Sequence, residues 1–389
     1  MQYQGAYDFL PQERVVFGVP AAQAVVEEAD RLQAGRLLLV STRSVSRGTD
    51  VVAGIRDALG DRCVGLFDES REHTPRATVI AAAEAARAAA PDLIVTVGGG
   101  SAIDLVKVLQ ICLAEDLRDE AALDPYYLRV DADGRRTAKP VEPSPARQII
   151  VPTTLSGAEF SNLGGCTDER RGVKDLFTAH DIIGRSVILD PAVTVHTPAP
   201  LWLSTGVRAV DHAVEGICSR DAHPFTDGLN VRALKLLGEG LPRCRDDGAD
   251  LEARLQCQLA VWMASMGIGR VQYGASHGIG HALGAVAAVP HGHTSCVMLP
   301  AVLRWNEPAN AGQQAEVAAA LGRPDAPAGE AVAALIAGLG MPRSLREVGV
   351  EAGQLERIAE VAADNFWVKT NPRPVAGPGD VREILELAW

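Results

Sequence analysis

Between residues 15 and 110, four short, continuous apolar runs alternate with segments of helical period. The runs are residues 15–17, Leu37–Ser41, Cys63–Phe67 and 93–97, with Ala-rich stretches such as 76–90 between them. Strands that are apolar on both faces need helices over both faces, and a parallel sheet with crossover helices supplies them. The first half therefore predicts a doubly wound α/β domain, a class that binds ligands at the carboxyl ends of its strands. Residues 115–147, acidic and turn-rich, read as a surface excursion. The run at 148–151 resumes the sheet, and Ser186–Leu189 adds a strand. After Pro200 the apolar spacing is helical almost throughout. At 389 residues the chain is too long for one compact core. The expectation is α/β plus all-α: an N-terminal doubly wound parallel-sheet dinucleotide-binding domain over 1–195 and a C-terminal helical domain over 196–389.

Charge and cysteine usage narrow the partners. The formal net charge is −12 and no domain-sized basic stretch exists, which argues against nucleic acid. No apolar run reaches about 18 residues, so no membrane helix is expected. The N-terminal residues lack the basic and apolar regions of a secretory leader. Seven cysteines are scattered without a CxxC pair and read as reduced thiols of a cytoplasmic protein.

The stretch 95–104 runs from a buried strand into Gly98-Gly99-Gly100-Ser101 and then a helix. Glycines admit a phosphate close to the backbone, and a helix N-terminus offers free N–H groups with partial positive charge. The bland alternative is a tight turn. The loop follows the fourth strand and does not match GxGxxG, so it is not the usual dinucleotide fingerprint. A second loop, carrying Thr153, Thr154 and Ser156 after the resumed strand, offers hydroxyls for a ribose or pyrophosphate, or simply a capped turn. Strand Leu37–Ser41 ends in Ser41-Thr42-Arg43-Ser44 without the acidic residue that selects NAD. Arg43 there reads either as a partner for a 2′-phosphate or as a solvated loop arginine.

Four of the nine histidines fall between residues 277 and 293. His277 and His281 are four apart and share a helix face. His291 follows Pro290, and His212 lies in an earlier helix. Imidazoles serve as metal ligands and as acid–base groups. One reading is a metal site on His212, His277 and His291. The other is a metal-free polar pocket whose histidines donate protons or bind anions.

Together these residues resemble the iron-containing (group III) alcohol dehydrogenase superfamily over nearly the whole chain. GGGSAID, the PTT loop, DPAVT, GVRAVDHAVE and HGIGHALGAVAAVPHG occur in the family's order. The resemblance implies NADH or NADPH as cofactor and His212, His277 and His291 at the family's histidine metal ligands. It places His281 beside the nicotinamide and Asp104 and Lys174 at the cofactor, and it implies a homodimer. The fourth metal ligand of the family, an aspartate four residues before His212, is here Arg208. Arginine has no lone pair for a cation and repels it. Asp211, one residue from His212, points about 100° away around the helix and reads as a poor substitute.

The maleylacetate reductase branch, associated with aromatic compound catabolism, is the closer match. It also lacks the aspartate and is regarded as metal-independent. It shares His73-Thr74-Pro75, the short PTT-x-x-G-x-E loop and Ser41-Thr42. The chain departs from it at 208, usually asparagine, and at 290–295. The resulting expectation is an NAD(P)H-dependent reductase of a small anionic oxo acid or enone, without metal, in which Arg208 takes the place of the ion and His281 or His291 donates the proton. For Arg208 the competing reading is a salt bridge, with Asp211 or Glu215. The competing function is a metal-dependent alcohol or aldehyde dehydrogenase holding iron or zinc on the three histidines. A glycerol-1-phosphate dehydrogenase or dehydroquinate synthase relative also needs metal, so Arg208 counts against it, and the histidine cluster counts against a non-catalytic binding protein.

Overall fold

The computed structural model describes residues 5–130 and 136–389. The chain divides into two compact units, residues 9–197 and residues 198–389 joined by residues 5–8. Placing all of 1–195 in one domain thus overlooks a short N-terminal segment that groups with the second unit. Tyr7 fastens it by donating its hydroxyl to Met266 O at 2.6 Å.

The first unit runs β1 (Arg14–Phe17), α1 (Ala21–Arg31), β2 (Leu37–Ser41), α2 (Arg43–Gly48), α3 (Val51–Leu59), β3 (Cys63–Phe67), α4 (Arg76–Ala89), β4 (Leu93–Gly98), α5 (Gly100–Ala114), β5 (Arg129–Val130), β6 (Arg136–Thr137), β7 (Arg147–Pro152), β8 (Leu163–Asp168), β9 (Val173–Thr178), β10 (Ser186–Leu189) and α6 (Pro191–Thr194). Six strands form one parallel sheet in the order β1-β10-β7-β4-β2-β3. Every residue of β2 and β4 is buried, as their largely apolar sequences require, and the buried Thr96 donates its hydroxyl to Gln148 Oε1 at 2.8 Å. Helices α1 and α3 cover one face, with Val25, Ile55, Leu39 and Val95 in that core. Helices α4 and α5 cover the other, with Val79, Val106, Leu38 and Ile94. Both layers are therefore filled by the alternating sides of the same strands.

Two features depart from the sequence reading. Residues 115–147 are not plain surface, because Leu123 and Tyr126 lie in the core beside α5. Residues 131–135 of this segment lie outside the described residues. The antiparallel pair β8–β9 was not foreseen. Its strands mix polar and apolar residues, and Gly164-Gly165 lets it lie directly on α5. A Cβ on Gly164 would stand 3.1 Å from that of Lys107.

The second unit contains α7 (Ala199–Ile217), α8 (Pro224–Asp246), α9 (Leu251–Ser265), α10 (Ala275–Ala287), α11 (His291–Ala320), α12 (Ala328–Gly338), α13 (Leu355–Ala363), α14 (Phe366–Lys369) and α15 (Pro378–Leu387). Pro198 precedes α7 and Pro290 precedes α11, each fixing the entry φ where no N–H is needed. Their starts set which side chains of α7, α10 and α11 meet.

Candidate active site

In the first unit the two predicted loops leave adjacent strands at one level, since Gly98 of β4 pairs in register with Pro152 of β7. They touch. A Cβ on Gly99 would lie 2.8 Å from Thr154 Cγ2, and one on Gly100 would lie 3.2 Å from Ser156 Oγ. Neither glycine has a positive φ. The glycines are thus required by the close approach of the second loop rather than by a left-handed turn. Thr153 N donates to Gly98 O at 3.0 Å. Thr154 is buried and its hydroxyl has no partner among the described residues. That orphan, beside the N-terminus of α5, fits a polar ligand at this edge. Ser101 lies in the first turn of α5, and its carbonyl accepts from Thr74 Oγ1 at 3.0 Å. His73 and Thr74 both adopt left-handed φ, 60° and 53°, a costly conformation for a β-branched residue. Thr167 holds them there, donating Oγ1 to His73 O and N to Thr74 O.

Asp104 and Lys174 are brought together. Asp104 Oδ2 accepts from Gly165 N at 3.0 Å, and the Lys174 side chain crosses the bare Gly165 beside it. The stretch after β2 is a helix, not the loop expected. Thr42 caps α2, Ser41 Oγ donates to Val97 O at 2.7 Å, and Arg43 pairs with Glu69 at 2.5 Å.

Sequence reasoning missed what lies under these loops. Lys107, fully buried on α5, donates to Ala158 O at 2.6 Å, Leu163 O at 2.7 Å and Ser161 Oγ at 3.4 Å, with Asp104 Oδ1 at 3.6 Å. Burial lowers the pKa of its ammonium, and Asp104 and Glu159 oppose that shift. Glu159, buried beside it, is pushed up to about 7 by desolvation. A carboxyl whose folded pKa is raised favours the fold below its unfolded value near 4.5, and this contribution is lost as pH rises through about 7. The loss amounts to about 3 kcal/mol. Glu159→Gln should therefore match the parent in urea unfolding near pH 4.5 and exceed it at pH 8. Equal stability of the two proteins at pH 8 would contradict this.

In the second unit, α7 presents Arg208, Asp211, His212 and Glu215, α10 presents His277 and His281, and α11 presents His291 and Ser295. The predicted residues form two groups. His212 stacks on His277 at 5.1 Å between centroids, and Tyr273 lies 4.5 Å from His277. His281 faces His291 at 5.8 Å and Trp367 at 4.7 Å. His277 Nδ1 lies 2.6 Å from Glu215 Oε2. Glu215 also accepts from the backbone N–H groups of Gly274, Ser276 and His277. Desolvation pushes Glu215 up to about 7 and holds His212 and His277 well below the usual histidine range. Arg208, as a positive neighbour, adds to the fall at both histidines.

Arg208 does make the salt bridge weighed against its substrate role. Nη1 lies 3.6 Å from Asp211 Oδ2 and donates to Ser295 Oγ at 3.0 Å. Its Nε and Nη2 make no hydrogen bond among the described residues. Asp211, dismissed from its angle on the helix, is central. Its Oδ2 accepts from Ser276 and Ser295 hydroxyls and lies 3.6 Å from His277 Nδ1. The angle to His212 was right, but Asp211 shares a face with Arg208 and Glu215, and that face meets α10. Spacing of three and four along α7 carried this signal.

The structure gathers a donor set other than the one the sequence predicts. Among the described residues, the ligand atoms found within 4.8 Å of one another belong to Asp211, Glu215 and His277, not to His212, His277 and His291. Glu215 is already saturated with N–H donors. The orphaned His212 Nδ1 and His277 Nε2 favour an ion, but both lie under the positive charge of Arg208.

Residues 11–191 match the family described as iron-containing alcohol dehydrogenase, and residues 202–389 match its C-terminal part. A maleylacetate reductase from a Rhizobium species is 31% identical, covering 97% of this chain and 95% of its own. The dehydrogenase FUM7 of Gibberella moniliformis is 33% identical, covering 96% and 95%. The crystal structure of maleylacetate reductase from Agrobacterium tumefaciens superposes with a TM-score of 0.82 at 30% identity, covering 99% and 97%.

Proposed function

The chain belongs to the iron-containing alcohol dehydrogenase family, and from that premise we propose that it is an NAD(P)H-dependent reductase of the maleylacetate reductase type. Its substrate is a small anionic oxo acid or enone, and no metal takes part. The observation that carries this is Arg208, a half-buried guanidinium whose Nε and Nη2 make no hydrogen bond among the described residues, beside His212 and His277.

The residues at the ends of β4 and β7 fit a dinucleotide. Gly98, Gly99, Gly100 and Ser101 would face the pyrophosphate with backbone N–H groups, and Thr153, Thr154 and Ser156 would orient the nicotinamide half. A bound NAD(P)H supplies the hydride. Arg208 binds the substrate carboxylate with its planar fork and stabilises the negative charge that develops on the reducible oxygen. His281 or His291 delivers the proton. His212 and His277, kept neutral by burial, line the site as acceptors. By likeness to the family we also infer a homodimer acting in the cytoplasm, in aromatic compound catabolism. Among the described residues no helix is long and apolar enough to cross a membrane.

Elemental analysis of protein purified without chelator, followed by NAD(P)H oxidation with maleylacetate and related oxo acids, tests the reading. Metal far below one ion per chain, with turnover indifferent to a strong chelator, is expected. Near-stoichiometric iron or zinc, with activity lost on chelation and directed at alcohols or aldehydes, would give the lead to the metal-dependent dehydrogenase.

A further inference from the structure

Arg208 is anchored at one end, and the anchor is a serine. Its Nη1 donates to Ser295 Oγ at 3.0 Å. An arginine can only donate, so the serine oxygen accepts there and its own proton goes elsewhere. It goes to Asp211 Oδ2, at 2.6 Å. Ser276 Oγ donates to the same carboxylate oxygen at 2.9 Å. Asp211, Ser276 and Ser295 are all completely buried. The direction of each bond from Arg208 through Ser295 to Asp211 is therefore fixed. Arg208 and Asp211 approach each other only to 3.6 Å, too far for a hydrogen bond, so the hydroxyl makes the connection.

Close helix packing lets so short a side chain reach both partners. A Cβ on Gly292 would stand 2.7 Å from Ser204 Cβ, and one on Gly280 would stand 2.9 Å from Thr294 Oγ1. The bare glycines thus draw α11 against α7 and against α10. Ser295 lies one turn after Gly292, and Arg208 lies one turn after Ser204, so both fall on the faces that these contacts bring together.

A guanidinium offers a carboxylate two forks, one on its Nη1–Nη2 end and one on its Nε–Nη2 side. Ser295 occupies Nη1, which spoils the first. Nε and Nη2, the pair that the second fork needs, make no hydrogen bond among the described residues. We infer that Ser295 is a positioning residue, which fixes the rotation of the Arg208 guanidinium so that its Nε–Nη2 side takes the substrate carboxylate. Asp211 orients the serine, and Ser276 holds Asp211. Without the Ser295 hydroxyl the guanidinium is free to turn, and the fork is no longer preorganised. The inference rests on the oxo-acid reading of Arg208.

The test is steady-state kinetics of the full chain with maleylacetate and with its dimethyl ester, which keeps the carbonyl and loses both carboxylates. The quantity read is the ratio of kcat/KM for the acid to that for the ester. Ser295→Ala should lower this ratio about tenfold, as expected for a lost hydrogen bond to a charged group, chiefly by raising KM for the acid. Ser295→Cys keeps the size and a weak donor and acceptor, and should fall between the two. Ser276→Ala takes a hydroxyl from the same oxygen of Asp211 but touches no bond of Arg208. It should lower the urea midpoint and leave the ratio unchanged. Equal falls in the two alanine variants would show a structural role shared by both serines and overturn the inference. An unchanged ratio in both Ser295 variants also overturns it, and the oxo-acid reading stands if Arg208→Ala still lowers the ratio. A ratio indifferent to Arg208→Ala, or a parent that does not reduce the acid, overturns both.

Discussion

Arg208→Ala should lower kcat/KM for an anionic oxo acid by about a hundred- to a thousandfold, the range seen when a preorganised oxyanion donor is removed. On the proposed mechanism the guanidinium serves the substrate rather than the fold. Its contact with Asp211 is loose, at 3.6 Å, and one nitrogen of three is hydrogen-bonded. Its remaining donors make no hydrogen bond among the described residues. Asp211 retains the hydroxyls of Ser276 and Ser295 after the substitution. Burial already raises the pKa of Asp211, so the variant carboxyl takes up a proton instead of standing as a bare charge. The fold should therefore survive, which thermal unfolding checks. Arg208→Lys keeps the charge but loses the fork and should fall between the two. Steady-state kinetics with a folded Arg208→Ala protein that turns over the oxo acid at the parental rate would remove arginine from the mechanism.

The other large effect belongs to Lys107. Removing one partner of a buried charged group costs about 3–5 kcal/mol, because the groups left behind are not rehydrated. Lys107→Met conserves the apolar stem and removes the donor to Ala158 O and Leu163 O, and it leaves Asp104 and Glu159 without their cation. Urea unfolding should show the first unit's transition moved to markedly lower denaturant, with that of the second unit in place. A denaturation profile identical to the parent's would show that the ammonium is not holding these carbonyls. Loop 153–158 hangs from the same clamp through Ala158, so cofactor affinity should fall as well.

Much of the architecture is legible in the chain because it follows from local rules. Strands β2, β4 and β7 are each built on an apolar run, and burial on both faces of a parallel sheet is the setting such runs fit. The loops after β4 and β7 announce themselves through glycine and hydroxyl content. Histidines four apart on α10 share a face by helix geometry alone. Where the reading failed, the cause was non-local. The pair β8–β9 is stabilised by packing on α5, not by its own alternation. The residues at 43–48 coil because Thr42 caps them, a signal that was passed over. The salt bridge of Arg208 was foreseen as a competitor, whereas the place of Asp211 was not.

The sequence by itself determined the parallel sheet, the helical second unit, the two loops and an arginine four residues before His212. Each of these is written in residue type and short spacing, which act within one turn or one strand. Only the tertiary structure decided what those residues do with one another. It turned Asp211 toward His277 and separated His281 and His291 from His212. It set Lys107 beneath the hydroxyl loop and joined Arg43 to Glu69, 26 positions away. Charge pairs and buried hydrogen bonds depend on distances of a few ångströms between segments far apart in the chain, and these exist only after the apolar faces have packed.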